Sequence, residues 1–146
     1  MRSHRLALTV VLGLILAAVV AAPTAAAPVK FRITLTPSPM SFGSVPVGQK
    51  SAAQMLYVTN RSAMPLQFDT GYIRSHAGTV DIAFAQAPTG CFDGTHIVVG
   101  PGQTCGLYSL AFTPNAVGAF YADISVTFTD GVSTVTATST AKGKAV

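Results

Sequence analysis

The residues best equipped for chemistry crowd into one short stretch of the chain: Cys91, Asp93, His96 and Cys105. Two thiolates, an imidazole and a carboxylate can make a tetrahedral zinc site. Such a site wants a paired Cys-x-x-Cys knuckle or a second nearby histidine, and this stretch has neither. The competing reading is a covalent bond between the sulfurs, because Cys91 and Cys105 are the only two cysteines. The compartment decides between them: an exported chain keeps such a pair oxidised.

Other reactive arrangements fail on composition. A blue-copper site needs two histidines and a thiolate, with a histidine and a methionine close after the cysteine. Neither residue type occurs after Cys105. A nucleophilic serine needs a base and an orienting acid, yet His76 and His96 are the only histidines beyond residue 4, and no Gly-x-Ser-x-Gly elbow is present. Five scattered aspartates and no glutamate offer no recognisable glycosidase pair. Gly100-Pro101-Gly102 lacks the lysine and following helix of a phosphate loop and reads as a turn. The expectation is a non-enzyme with no metal and no cofactor, whose one special pair is the disulfide Cys91–Cys105.

Two further features are weighed as binding or modification sites. Asn60-Arg61-Ser62 matches a glycosylation sequon and reads as a strand-ending turn, since Asn tolerates the backbone angles required there. Tyr57, Tyr72, Tyr108 and Tyr121 could line a carbohydrate-binding face, although most of them are expected in the core or in sheet-surface packing.

The N-terminus sets the compartment. Arg2 and Arg5 precede an almost unbroken apolar run from Leu6 to Val20, and Ala21 to Ala27 is rich in small residues. This is the layout of a secretory signal peptide. Cleavage after Ala26 avoids leaving Pro23 or Pro28 as the first residue. Residues 1–26 are thus a leader and residues 27–146 a single domain, exported to the exterior or the cell envelope with no membrane span of its own. An uncleaved anchor is the alternative, since Leu6 to Ala22 has the length of a short span. Loss of Arg2 and Arg5 leaves seven basic against five acidic residues, a net charge of +2. Those charges are scattered along the sequence, which argues against nucleic-acid binding.

No stretch from Lys30 onward sustains a helical apolar period. Short β-rich runs alternate with Gly, Pro, Asn and Ser, the pattern of a sandwich or barrel. Strands are expected at Phe31 to Thr36, at Met40 to Val47 as an irregular edge, at Ala52 to Thr59, and at Leu66 to Arg74 with a bend at Gly71. More follow at Val80 to Ala85, with Val80, Ile82 and Phe84 on one side, at Thr95 to Val99, and at Gly106 to Thr113. Phe120 to Phe128 alternates cleanly, with Tyr121, Asp123 and Ser125 on the wet side. Asp130-Gly131 marks a hairpin leading into a last strand, Val132 to Ala141. Seven to nine strands with such turns make an all-β, immunoglobulin-like sandwich. Its expected centre is the strand pair from Gly106 to Phe128.

The segment SFGSVPVGQKS, with Phe42, Gly43, Val45, Val47 and Gly48, then Asn60 and Pro65-Leu66, resembles the first half of ASH (Hydin-like) domains. The second half is similar: Cys91, Pro101-Gly102 before Cys105, Phe112-Thr113-Pro114, Gly118 and a terminal strand reaching Gly143. The resemblance covers most of residues 33–143, and the two cysteines resemble the bacterial extracellular, choice-of-anchor-type branch. It implies an immunoglobulin-like fold, related in architecture to major sperm protein and the periplasmic pilus chaperones, and a non-enzymatic interaction module. The sequence departs from the bacterial pattern in its single copy and in Lys142-Gly143-Lys144, where Gly-x-Gly is frequent. The function expected is binding of a protein or cell-envelope component. The alternatives are a carbohydrate or small-ligand binder using exposed aromatics, and a strand donor or acceptor, against which Pro37, Pro39 and Pro46 argue. Non-reducing mass spectrometry is expected to find no free thiol; two alkylatable thiols, or zinc bound to the purified chain, would establish the metal reading instead.

Overall fold

Alternation of apolar and polar residues organises the chain into nine strands, and the computed structural model describes residues 30–76, 79–84 and 91–146. The leader with its cut site and the facing of Val80, Ile82 and Phe84 lie outside what is described. The strands are β1 (Ile33–Thr36), β2 (Met40–Val45), β3 (Gln54–Asn60), β4 (Leu66–Ser75), β5 (Thr79–Phe84), β6 (Val98–Val99), β7 (Thr104–Thr113), β8 (Gly118–Thr129) and β9 (Thr134–Ala145). They form a four-stranded sheet in the order β1-β3-β7-β5 and a five-stranded sheet in the order β2-β9-β8-β4-β6. Among the described residues there is no helix. The immunoglobulin-like sandwich expected from the sequence is the architecture found.

The core lies between the sheets. β8 contributes Phe120, Ala122, Ile124, Val126 and Phe128, all buried, and β7 faces them with Leu110 and Phe112. Each large apolar side chain so enclosed contributes about 1.5–3 kcal/mol. β7 and β8 are not hydrogen-bonded to each other, as a pair from Gly106 to Phe128 would be. The turn after Pro114 carries the chain from one sheet to the other, so the two strands meet face to face. The Phe112 and Phe120 rings stack with centroids 3.5 Å apart, and Phe42 of β2 leans on both.

β7 also carries a bulge. Its register with β3 steps from Leu56↔Tyr108 to Tyr57↔Gly106, leaving Leu107 unpaired. The extra residue lets Cys105, Leu107 and Tyr108 all be buried, which strict alternation forbids. Tyr108 then reaches across the sandwich to β4, where its hydroxyl occupies the space a Cβ on Gly71 would need. That close approach, not a bend, is why position 71 is glycine. The irregularity in β4 lies between Phe68 and Thr70.

Two expected boundaries and one expected facing change for local reasons. The strand expected at Thr95 to Val99 shrinks to Val98–Val99 plus a single bridge, Phe92↔Ile97. The Asp93 carboxylate accepts the amides of Thr95 and His96 and bends the chain there. β9 runs on to Ala145 because edge strand β2 pairs with it in parallel from Met40↔Ala141 to Val45↔Ala145. Gly143 permits this, since a Cβ there would sit 3.0 Å from the Phe120 ring. Ser125, expected on the wet side, is buried under the neighbouring strands β4 and β9.

Asn60 changes most. It ends β3 as expected, but its side chain is fully buried. Nδ2 donates to the carbonyls of Met64 (2.7 Å) and Val99 (2.8 Å), and Oδ1 accepts the amide of Ser62 (2.8 Å). The Asn60 backbone also donates to Gln103 O and accepts from Gly102 N. Both amide hydrogens are used, so the sequon is closed to glycosylation in the folded chain. Asn60→Ala is expected to cost about 3 kcal/mol or more in chemical denaturation, because it strands two carbonyls and an amide. Asn60→Asp should cost as much, since a carboxylate has no hydrogen to give either carbonyl. A loss below about 1 kcal/mol for both variants would contradict this assignment.

Candidate functional site

The stapled loop holds the residues that the sequence made most conspicuous. Cys91 and Cys105 are joined as a disulfide, with Cα atoms 6.2 Å apart and both residues buried. Asp93 and His96 stand exposed outside it, with Nδ1 of His96 4.0 Å from the Asp93 carboxylate. The structure therefore does not bring the four together as ligands. Among the described residues no group of three or more His, Cys, Asp or Glu side chains is arranged to hold a metal. Asp93 is instead a turn residue: the His96 and Thr95 amides that it accepts hold its carboxyl below the ordinary value of 3.8.

Four tyrosines separate by strand register. Tyr108 is buried, and desolvation pushes its phenol up. Tyr57 projects from the outer face of the four-stranded sheet and is 42% exposed. Tyr72 of β4 and Tyr121 of β8 are 62% and 54% exposed. Both lie on the outer face of the five-stranded sheet, and that face is the candidate site.

Cross-strand partners share a sheet face, so the register lays this surface out in rows. Tyr72 lies beside Ser125 and Thr138, Arg74 beside Asp123 and Thr140, Tyr121 beside Lys142, and Ala119 beside Lys144. From Tyr72's partner Ser125 to Tyr121 is four residues, about 13 Å along the strands. Thr127 and Thr136 join their hydroxyls at 2.9 Å. His76, just past the end of β4, stacks on the Tyr121 ring with centroids 4.2 Å apart. Its Nε2 lies 2.9 Å from Oδ2 of Asp123, and its backbone amide donates to Tyr121 O. The histidine thus holds the Tyr121 ring and the Asp123 carboxylate in fixed positions.

Two shallow hollows open on this face. One, of about 510 Å³, lies between Pro39, Tyr72, Asp123, Thr138 and Thr140. The second, of about 410 Å³, lies between Ser41, Ser44, Ala119, Lys142 and Lys144. Among the described residues Arg74, Lys142 and Lys144 form no ion pair. The surface can stack planar or ring-shaped groups, donate and accept through hydroxyls, and attract anions.

Sequence reasoning placed Tyr121 and Asp123 on a wet face but weighed His76 only as a candidate base. The alternation of β8 carries the first signal. The second needed the pairing of β4 with β8, which no local pattern specifies.

No protein-family model matches the chain, and no curated protein does. Solved structures do. The seventh PapD-like (ASH) domain of human CEP192 superposes with a TM-score of 0.54 at 14% identity, covering 86% of this chain and 92% of that one. The Vibrio cholerae protease VesB matches with a TM-score of 0.54 at 17% identity, over 78% of this chain and 31% of its own. The secreted serine protease VesC of Vibrio cholerae matches at 0.50 and 13% identity, over 23% of its length. The chain therefore shares the immunoglobulin-like fold of the CEP192 domain.

Because the folded Asp93 carboxyl is held below its ordinary value, its stabilising effect is present above that value and is lost as pH falls through the lower, folded one. Asp93→Ala is expected to lower the melting temperature at neutral pH, with the gap to the parent closing below pH 3.8. Asp93→Asn keeps an acceptor oxygen and should fall between the two. A gap unchanged down to pH 2 would remove the carboxylate from this role; here pH 2 is simply about two units below the ordinary carboxylate value.

Proposed function

We propose that this chain is a secreted, non-catalytic β-sandwich module that binds a protein or cell-envelope component through the outer face of its five-stranded sheet. The observation that carries the reading is the pairing of exposed Tyr72 and Tyr121 on one face, with His76 fixing the second ring. Exposed aromatics cost solubility and are enriched where partners dock.

Several features support the remaining parts. The signal-peptide layout of residues 1–26 and the buried disulfide both suit an oxidising compartment. Among the described residues no helix is long and apolar enough to cross a membrane. The His76–Asp123 pair resembles part of a hydrolytic triad, but among the described residues no hydroxyl or thiol is bonded to His76. In this reading the dyad serves as a clamp on the Tyr121 ring.

The test is capture of envelope material from the producing cells on the immobilised chain. The parent and Tyr57→Ala, altered on the opposite sheet, should retain the same components, and Tyr72→Ala/Tyr121→Ala should lose them. Equal retention by all three proteins would move the binding surface elsewhere. Turnover of a hydrolase substrate panel that disappears in His76→Ala would overturn the non-catalytic class.

A further inference from the structure

We infer that the ligand of this face is an acidic polysaccharide, laid along the strands from Tyr72 toward Lys144. The inference rests on the binding reading above and adds the chemistry of the occupant.

The face is nearly devoid of exposed aliphatic residues. Met64 and Val132 lie in loops, and Val47, Val117 and Val146 gather at one end of the sheet just beyond Ala119 and Lys144, so that no large aliphatic side chain is exposed between the two rings. A protein hot spot or a lipid surface takes its energy from a desolvated apolar centre, and none is offered here. What the face presents instead is two tyrosine rings set in a field of Ser and Thr hydroxyls. A sugar ring has the matching duality, with C–H groups that lie against an aromatic face and hydroxyls around its rim that hydrogen-bond at fixed spacing.

The separation of the two rings suits a chain better than a single sugar. They stand about 13 Å apart along the strand direction, and the two hollows lie in line with them. Tyr72 borders the first hollow. Tyr121 sits beside Lys142, which borders the second. A polymer of several units could touch both rings, whereas a monosaccharide could occupy only one.

Charge then selects among polysaccharides. Of the seven cationic residues from Lys30 onward, Arg74, Lys142 and Lys144 are on this face. The opposing carboxylate, Asp123, is engaged by His76. Lys142 and Lys144 project two residues apart from one strand, so both flank the second hollow beside Ser41 and Ser44. An anionic group on the polymer finds two ammoniums and two hydroxyls there. Three cations are too few for a nucleic-acid track, where affinity is built on many phosphate contacts.

Isothermal titration of the purified chain with polygalacturonate tests this, beside a neutral glucan of similar length and poly-glutamate. Binding to polygalacturonate is expected to exceed binding to either control by at least about tenfold, and to weaken with added salt. Tyr72→Ala, and separately Lys142→Gln/Lys144→Gln, should each raise the dissociation constant about tenfold. All of these side chains are exposed, and circular dichroism is expected to show the variants folded. Equal binding of poly-glutamate would reduce the site to a charge patch, and equal binding of the glucan would remove the role of the cations. Either result, or no binding of polygalacturonate, overturns the inference. If envelope capture still depends on Tyr72 and Tyr121 in that event, the binding reading stands and only the ligand class falls.

Discussion

The side-chain amide of Asn60 is the interaction on which the rest of the sandwich depends. It ends a central strand of one sheet and reaches the carbonyl of Val99, in the edge strand of the other. Through its third bond and its backbone it also holds the Ser62 turn and the Gly100–Gln103 reversal. Those bonds join two loops and an edge strand at one end of the molecule inside a region that excludes water. In such surroundings a satisfied amide is worth far more than its count of bonds suggests, because each unmade bond would leave a polar atom buried. The staple at Cys105 starts a few residues further on, so covalent and hydrogen-bonded restraints meet at the same end.

The opposite end is held differently. Phe42, Phe112 and Phe120 meet there from three strands and both sheets. Gly143 allows Phe120 to press against β9, and β2 closes the edge in parallel. Polar restraint at one end and aromatic packing at the other leave the sheet faces free of structural duty. This is why the outer face of the five-stranded sheet can carry two exposed rings without weakening the core. Its polar layer is set by alternation in β8 and β9, and its geometry by their pairing with β4.

His76 ties the end of β4 to the outer face of the five-stranded sheet. A histidine beyond the end of β4 stacks on Tyr121 and bonds Asp123, so an exposed tyrosine is held in place by the fold itself. Rigid aromatic contacts bind more tightly because less entropy is lost on association.

Much of this was readable in the residues themselves. Alternation in Phe120 to Phe128, turn residues at Gly100-Pro101-Gly102 and Asp130-Gly131, and two lone cysteines determine an all-β sandwich with one staple, because period, turn chemistry and cysteine pairing are local or near-local properties. Tertiary structure alone decided the rest. It put β7 and β8 in opposite sheets and buried Asn60 in place of an exposed sequon. It set Gly71 against Tyr108, and it gathered Tyr72, His76, Tyr121 and Lys142 on one face. Each of these depends on which strands pair and in what register. Register is settled by contacts between residues tens of positions apart, and a one-residue slip would turn every side chain of a strand to the other face.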